Sequence, residues 1–466
     1  MTKTILVNKD NKIKQSYIDK IELISTTNAT GEEIQVEKEA YDAYLQLKRF
    51  LLTKNIEIGI DSAYRTLKQQ QQIYNEFIKE YGLEYANKIV APIGTSEHHT
   101  GLAIDLYLKI DGKILEDNYQ LMEYDHIFQE INKYLKDFGF ILRYPKGKED
   151  ITGYPYEPWH IRYVGTFVAK IIAKNNYTLE EYLKEFSGVI VVNKQKNMTS
   201  FDVVKKISKL FGIKKVGHTG TLDPLAEGVL LVAIGQATKI VELLTATYKE
   251  YQAEAILGIK TDTLDTTGKL VDKKEIPNNL DLESTLASFQ KTYLQQVPIY
   301  SAVKVNGKKL YEYARNNQPV IPPKKEVTIK KIELLSIKNN TFTFKCLVSK
   351  GCYIRSLIDD IATSLNTYAT MSSLLRTKQG KISIEKAYTL QEIENNNYKI
   401  YNIDEVLDYP TIIVDNKLER KITTGQKLSN NWNISDKVIF KNNNLKILGI
   451  YQIDQNELKV WKNFSN

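Results

Sequence analysis

Two histidines and two carboxylates early in the chain have the types and spacing of a hydrolytic metal centre. Ser96-x-His98-x-x-Gly101-x-Ala103-x-Asp105 puts His98 and Asp105 on either side of one loop-to-strand transition. Glu157-Pro158-Trp159-His160 supplies a further imidazole from downstream. Two imidazoles and one carboxylate leave a fourth position to water, the ligand set of a catalytic zinc site rather than a closed structural one. Zinc acidifies that water, and an unligated carboxylate beside it can take the proton and hand it to a leaving amine. Glu157, three residues before His160, is placed for that task. Arg65, in Ser62-Ala63-Tyr64-Arg65, can grip a carboxylate or a developing oxyanion with its planar fork. A lone histidine is more often a satisfied polar core residue, so the combination carries the weight. His99 is expected to be a structural neighbour, and His126 lies in a helical stretch away from the motifs.

A second, unrelated constellation follows. Gly217-His218-Thr219-Gly220-Thr221-Leu222-Asp223-Pro224-Leu225-Ala226 sets one carboxylate, Asp223, on a tight Gly-rich loop beside a histidine. A carboxylate on such a loop stays ionised if a fixed cation faces it. Asp262 and Asp265 read as turn formers, since Asp readily caps turns.

The elements that must position these groups can be read from periodicity. Apolar residues at Tyr41, Tyr44, Leu45, Leu47, Leu51 and Leu52 predict a helix leading into a strand at 56–60. A second helix is expected from Leu67 to Tyr81, stopped by Gly82, then a strand from Leu102 to Leu108 and a helix from Asp125 to Phe138 before Gly139. A helix around 177–186 closes this part, and Ser187-Gly188 is the expected boundary. Beyond it come a buried strand at 189–192, a helix at 201–210, the Asp223 loop, a strand at 248–259, a helix at 282–292 and a strand at 341–348. From Pro410 the pattern is short strands at 411–414, 437–440, 445–453 and 458–461, separated by Asn-rich turns.

The expected class is therefore α+β multidomain. A small α+β zinc-peptidase domain spans 1–187, a mixed α/β domain 188–409 and a small β domain 410–466. The length of 466 residues calls for two or three cores. Charge is segregated along the chain: residues 1–187 hold 24 Lys+Arg against 28 Asp+Glu, and the rest hold 40 against 28. The basic excess lies wholly in the second part, where it suits a phosphate backbone. Cys346 and Cys352 lack metal-knuckle spacing and read as packing residues. No segment approaches the ~18 consecutive apolar residues of a membrane span. The first nine residues hold too short an apolar run for a signal peptide, so a cytoplasmic protein with no membrane partner is expected.

With Tyr64-Arg65, the SxHxxGxAxD core and Glu157-Pro158-Trp159-His160-x-Arg162-Tyr163-Val164-Gly165 all in place, residues 35–175 resemble the VanY-type D-alanyl-D-alanine carboxypeptidases and their dipeptidase relatives. The resemblance implies zinc held by His98, Asp105 and His160, Glu157 as base, Arg65 and Ser96 as substrate contacts, and a peptide ending in D-Ala-D-Ala as substrate. A peptide-binding module without catalysis is the alternative for this half.

Residues 188–400 resemble the TruB-type tRNA pseudouridine synthases, which isomerise uridine 55 in the T arm of tRNA without a cofactor. The match rests on the Asp223 loop, Lys249-Glu250-Tyr251-Gln252-Ala253, Tyr300-Ser301-Ala302-Val303-Lys304 and Ser349-Lys350-Gly351-Cys352-Tyr353-Ile354-Arg355. It implies Asp223 as nucleophile, Arg355 as its ionic partner, Tyr251 stacked on the flipped uracil and Tyr353 beneath it. Leu375 would complete the pocket, and His218 would fill the space the base leaves. Lys194 would be a further substrate contact. The family's Pro and Gly after that lysine are here Gln195 and Asn197, which predicts a less rigid loop. The segment after Pro410 resembles a reduced PUA-type RNA-binding domain. An RNA-binding or chaperone protein with secondary catalysis is the rival reading.

Overall fold

The structure, a computed structural model, describes residues 2–464. It divides into two compact units, Met1–Phe186 with Ile207–Lys214, and Ser187–Lys206 with Lys215–Asn466. Both are mixed α+β.

In the first unit the helix Lys38–Leu52 buries Ala40, Tyr44, Leu47 and Leu51, spaced to form one face. Its N-terminus is held by the Glu37 carboxylate, which accepts the Ala40 N–H. Each large side chain on that face contributes about 1.5–3 kcal/mol by leaving water. The face packs on an antiparallel sheet in the order Glu57–Ser62, Ala103–Ile110, His160–Tyr163, Phe140–Leu142, with Lys113–Leu115 on the side of Ala103–Ile110. The helix Leu67–Tyr81 starts on a Thr66/Gln69 capping box and stops at Gly82, whose φ of 85° suits glycine. A second helix, Leu83–Ile89, begins at that same glycine, which the sequence reading did not anticipate.

The second unit is built on a 10-stranded sheet. Its main path runs Thr292–Gln296, Lys324–Lys338, Thr341–Val348, Lys249–Leu257, Ala369–Gln379, Glu227–Ile234, Gly188–Lys194, Ile400–Tyr401. All these pairs are antiparallel except the short junction Glu227↔Leu375 and Gly228↔Arg376. Only glycine fits that junction, because a Cβ on Gly228 would sit 2.3 Å from the Arg376 carbonyl oxygen and its φ is +98°.

Two elements end earlier than periodicity predicts. The helix expected to 292 stops at Ser288, and Thr292 opens a strand. The strand expected to 259 stops at Leu257, because Gly258 turns the chain with φ 84°. The C-terminal segment forms a five-stranded sheet, Thr411–Ile413, Lys437–Lys441, Ile447–Asp454, Glu457–Asn463, Leu428–Ser429. It also carries a helix, Asn416–Thr423, that was not expected from a pattern of strands and turns. Ile439, Ile450 and Phe464 join one core with Val189, Val191 and Val229, so this sheet shares the core of the larger one.

Candidate active sites

Strand register builds the first site. Asp105 lies directly across from His160, and Ser62 pairs with Asp105 on the other side, which brings Arg65 up from the end of its strand. His98 sits in a short 3-10 turn, Glu97–Thr100, that Gly101 ends with φ 70°. The Nε2 of His98 is 3.1 Å from Asp105 Oδ2, and the Nδ1 of His160 is 2.9 Å from Asp105 Oδ1. One ligand atom from each of the three lies within 4.8 Å of the others.

These contacts are not simple hydrogen bonds. Asp105 Oδ1 is buried and, despite its 2.9 Å approach to His160 Nδ1, has no aligned donor. Tetrahedral bonds of ~2.0–2.1 Å to nitrogen and oxygen imply ligand atoms about 3.3 Å apart, close to the spacing found. Two imidazoles and a carboxylate therefore fit a zinc ion. The outer bond is present too: His98 Nδ1 is 2.5 Å from the Ala63 carbonyl oxygen, which fixes the ring and leaves Nε2 for the site.

Burial holds the His98 imidazole down to about 4, with the Arg65 charge adding to it. At His160 burial is outweighed by Asp105, and the pKa rises. Burial pushes the Glu157 carboxyl up to about 7, although His160, 3.4 Å away, pulls against it. Arg65 reaches Asp105 Oδ2 at 3.3 Å and Ser62 Oγ at 2.9 Å. A cleft of about 230 Å³ opens on the cluster, lined by Arg65, Ser96, Glu157 and His160 and walled by Ile73, Phe77 and Ile89. His99 is turned away, with Nδ1 2.7 Å from the Arg65 carbonyl and Nε2 accepting the Gly94 N–H. Sequence reasoning missed Tyr144, whose ring lies 4.8 Å from that of His160, and Glu97, buried beside His98.

The second site centres on Asp223, in the loop between the strands Val216–His218 and Glu227–Ile234. The loop is clamped from several directions. Ser200 Oγ accepts the Leu222 N–H at 2.9 Å, Gln379 Nε2 donates to Thr219, and Arg376 donates to the Val229 and Gly220 carbonyls. Lys194 is fully buried and its ammonium donates to the carbonyls of Gln195, Met198 and Pro224. Burial lowers its pKa to about 8, against the pull of Asp223. Its donors are spent on backbone, so it ties the loop down instead of presenting its ammonium to a ligand. Asn197 adopts φ 63°, the left-handed conformation Asn tolerates well, and its N–H donates to Pro224. The loop expected to be loose is thus tied to the one that carries Asp223.

Arg355 Nε stands 2.9 Å from Asp223 Oδ2. The approach is an ion pair, not an aligned hydrogen bond. The guanidinium is held from behind by the Thr263 and Tyr300 carbonyls. The loop-forming reading of Asp265 has a physical basis: it is buried, accepts from Thr263 and Thr267, and lies 3.8 Å from Arg355. Tyr251 is buried beside Arg376, its register partner, and burial raises its pKa. Leu375 is half-buried and pairs with Glu227 at the end of the loop. His218 Nδ1 accepts the Gly220 N–H at 3.3 Å.

Tyr353 caps the helix Ile354–Ser364 that carries Arg355, and its own N–H donates to Gln295 Oε1 at 2.8 Å. Gln295 is 1% exposed and donates in turn to Tyr293, which donates to Asp360 on the same helix. No sequence signal marked Gln295. Gln295→Leu keeps the volume but strands the Tyr353 N–H. Turnover of RNA is expected to fall about tenfold or more at a nearly unchanged half-saturating concentration, read by steady-state kinetics.

Comparison with known proteins finds two families along the chain. Residues 208–354 match the TruB family pseudouridylate synthase (N terminal domain) model, and residues 33–166 match the D-alanyl-D-alanine carboxypeptidase model VanY. The tRNA pseudouridine synthase B of Caldanaerobacter subterraneus is 42% identical over 257 residues, covering 54% of this chain and 90% of that protein. That of Oceanobacillus iheyensis is 43% identical over 280 residues, covering 57% and 92%. A vancomycin-resistance D,D-pentapeptidase VanY, solved with Zn(II), is 32% identical and covers 40% of this chain and 100% of its own, with a TM-score of 0.33. The chain belongs to the TruB family of tRNA pseudouridine synthases and carries, ahead of that part, a VanY-type D-alanyl-D-alanine carboxypeptidase domain.

Proposed function

We propose that the synthase part converts uridine 55 in the T arm of tRNA to pseudouridine, with Asp223 as nucleophile. The reaction breaks the N-glycosidic bond, turns the base and rejoins it through carbon, so the base must leave its stack first. The observation that carries this reading is the ion pair of Asp223 with a buried arginine on a loop clamped at both ends. Arg355 faces the carboxylate as its ionic partner, while Tyr251, Tyr353 and Leu375 hold the flipped base and His218 fills its place. Lys194 acts by holding the loop. The domain boundaries proposed are 1–187, 188–409 and 410–466, with the last a reduced PUA-type element. A tRNA transcript with cytidine in place of uridine 55 is expected to gain no pseudouridine, whereas changing other T-arm uridines leaves one pseudouridine per molecule. Pseudouridine at another position, mapped by carbodiimide-stop sequencing, would refute the assignment.

For the first unit the reading is a zinc peptidase acting on peptides that end in D-Ala-D-Ala, with zinc held by His98, Asp105 and His160. When bound, the ion supplies Lewis acidity that acidifies water and polarises the scissile carbonyl. Glu157 takes a proton from water and returns it to the leaving amine. Arg65 and Ser96 bind the peptide's terminal carboxylate, and the apolar wall of the cleft excludes bulk water. The single observation behind this is the convergence of one ligand atom each from His98, Asp105 and His160 within 4.8 Å of one another. The synthase needs no cofactor. A cytoplasmic location follows from the tRNA substrate, and among the described residues no helix is long and apolar enough to cross a membrane.

A further inference from the structure

Behind the metal-ligand cluster lies a layer of buried charge that the proposed peptidase chemistry does not use. Glu97 is fully buried, and its Oε1 lies 2.8 Å from Arg143 Nε and 2.7 Å from Arg162 Nη1. Arg143 is equally buried and grips Glu180 with both terminal nitrogens, at 2.9 and 2.6 Å. Arg162 donates further to the Lys3, Ile5 and Tyr163 carbonyls, and Asn8 adds a bond to Glu180 at 3.3 Å. Two buried guanidinium groups are thus balanced by the buried Glu97 and by Glu180, which is 13% exposed. Such groups hold position tightly, since any one displaced leaves its partner unpaired.

The layer adjoins both ligand residues, by chain adjacency at His98 and through the main chain and Tyr144 at His160. Glu97 is the residue immediately before His98. The Arg143 main-chain N–H donates to the His160 carbonyl at 3.2 Å. The Arg143 guanidinium lies 4.9 Å from the Tyr144 ring, which lies 4.8 Å from the His160 ring. Glu180, on the helix Leu179–Glu185, falls outside residues 33–166, the span matched by the carboxypeptidase family, as do Lys3, Ile5 and Asn8. It does not line the cleft.

We propose that Glu180, acting through Arg143 and Glu97, is a positioning residue that sets the orientation of His98 and His160 for zinc. This rests on the zinc-peptidase reading. The segments before and after the matched region are then part of the metal site's support, and the peptidase unit cannot be cut to its family span without loss. Outer partners of metal ligands commonly govern affinity by about 10–100-fold when removed.

The test uses the full-length protein and reads zinc affinity by competition with a chromogenic chelator. Glu180→Gln keeps the shape and one acceptor for Arg143 but removes the charge. It is expected to weaken zinc binding about 10–100-fold. With cobalt(II) in place of zinc, it should also shift the visible absorption bands that report ligand geometry. Asn8→Asp keeps the Oδ1 acceptor that Asp10 and Asn11 use but replaces the donor facing Glu180 with a like charge, and it serves if Glu180→Gln fails to fold; a weakening of about threefold is expected. Unchanged zinc affinity and an unchanged cobalt spectrum in whichever of these variants folds would overturn the positioning role. Absence of zinc binding in the wild-type chain would instead overturn the metal-site reading itself. Pseudouridine formation by the same samples should be unaffected.

Discussion

Asp223→Asn is expected to lower pseudouridine formation by more than about a thousandfold while leaving tRNA affinity within a few-fold of wild type. The asparagine has the same shape, so the loop anchors at Leu222, Thr219 and Gly220 are unaffected. What disappears is the carboxylate and, with it, the oxygen proposed as nucleophile. Arg355 stays in place, because the Thr263 and Tyr300 carbonyls hold it independently of Asp223. Binding survives because affinity comes chiefly from phosphate contacts on a basic surface and only in part from the pocket. The measurements are single-turnover release of label from tRNA uridine and filter binding at fixed salt. Retained turnover in Asp223→Asn would remove this residue from the chemistry. Lost binding would assign it a structural part instead.

Glu157→Ala is expected to reduce D-alanine release from a peptide ending in D-Ala-D-Ala by about 10²–10⁴-fold, the usual worth of a positioned general base. Chelation of zinc from the wild-type protein should do the same. Neither treatment should alter pseudouridine formation. The Glu157 carboxyl is 18% exposed and its pKa is pushed up to about 7, chiefly by burial. A group in that range can both accept and return a proton near neutrality. A dication at the neighbouring cluster adds positive charge that draws it down again. Its contact with His160 is only 3.4 Å and its removal leaves the three ligand groups intact, so zinc content should be retained. Bound zinc with no release from wild type would leave the cleft as a peptide-binding site. Release that persists in Glu157→Ala would refute its role as base.

The helix Leu67–Tyr81 was legible end to end, because a Thr66 cap, an apolar period and Gly82 all lie within the segment itself. The helix Asn416–Thr423 was not: among short strands and Asn-rich turns, with Ile422 as its buried residue, it has no stripe to read. The strand ending at Leu257 was overrun because Gly258 turns the chain only where a neighbouring strand ends.

The sites divide in the same way. Sequence alone nominated the groups proposed to carry chemistry: His98 and Asp105 sit within one motif, His160 and Glu157 within another, and Asp223 on a loop whose glycines declare it. Those spacings are local, and a strand's alternation converts them directly into shared faces. Tertiary structure decided what holds them. Arg376 reaches the Val229 carbonyl across 147 residues, Gln379 reaches Thr219 across 160, and Arg162 reaches Glu97 across 65. It also turned Lys194 from an expected substrate contact into a clamp with no donor to spare, and made Gln295 the support of Tyr353. No periodicity links such partners. Which of them meet depends on the order in which strands enter the sheet, and buried arginines and amides are held only where that order brings an acceptor within reach.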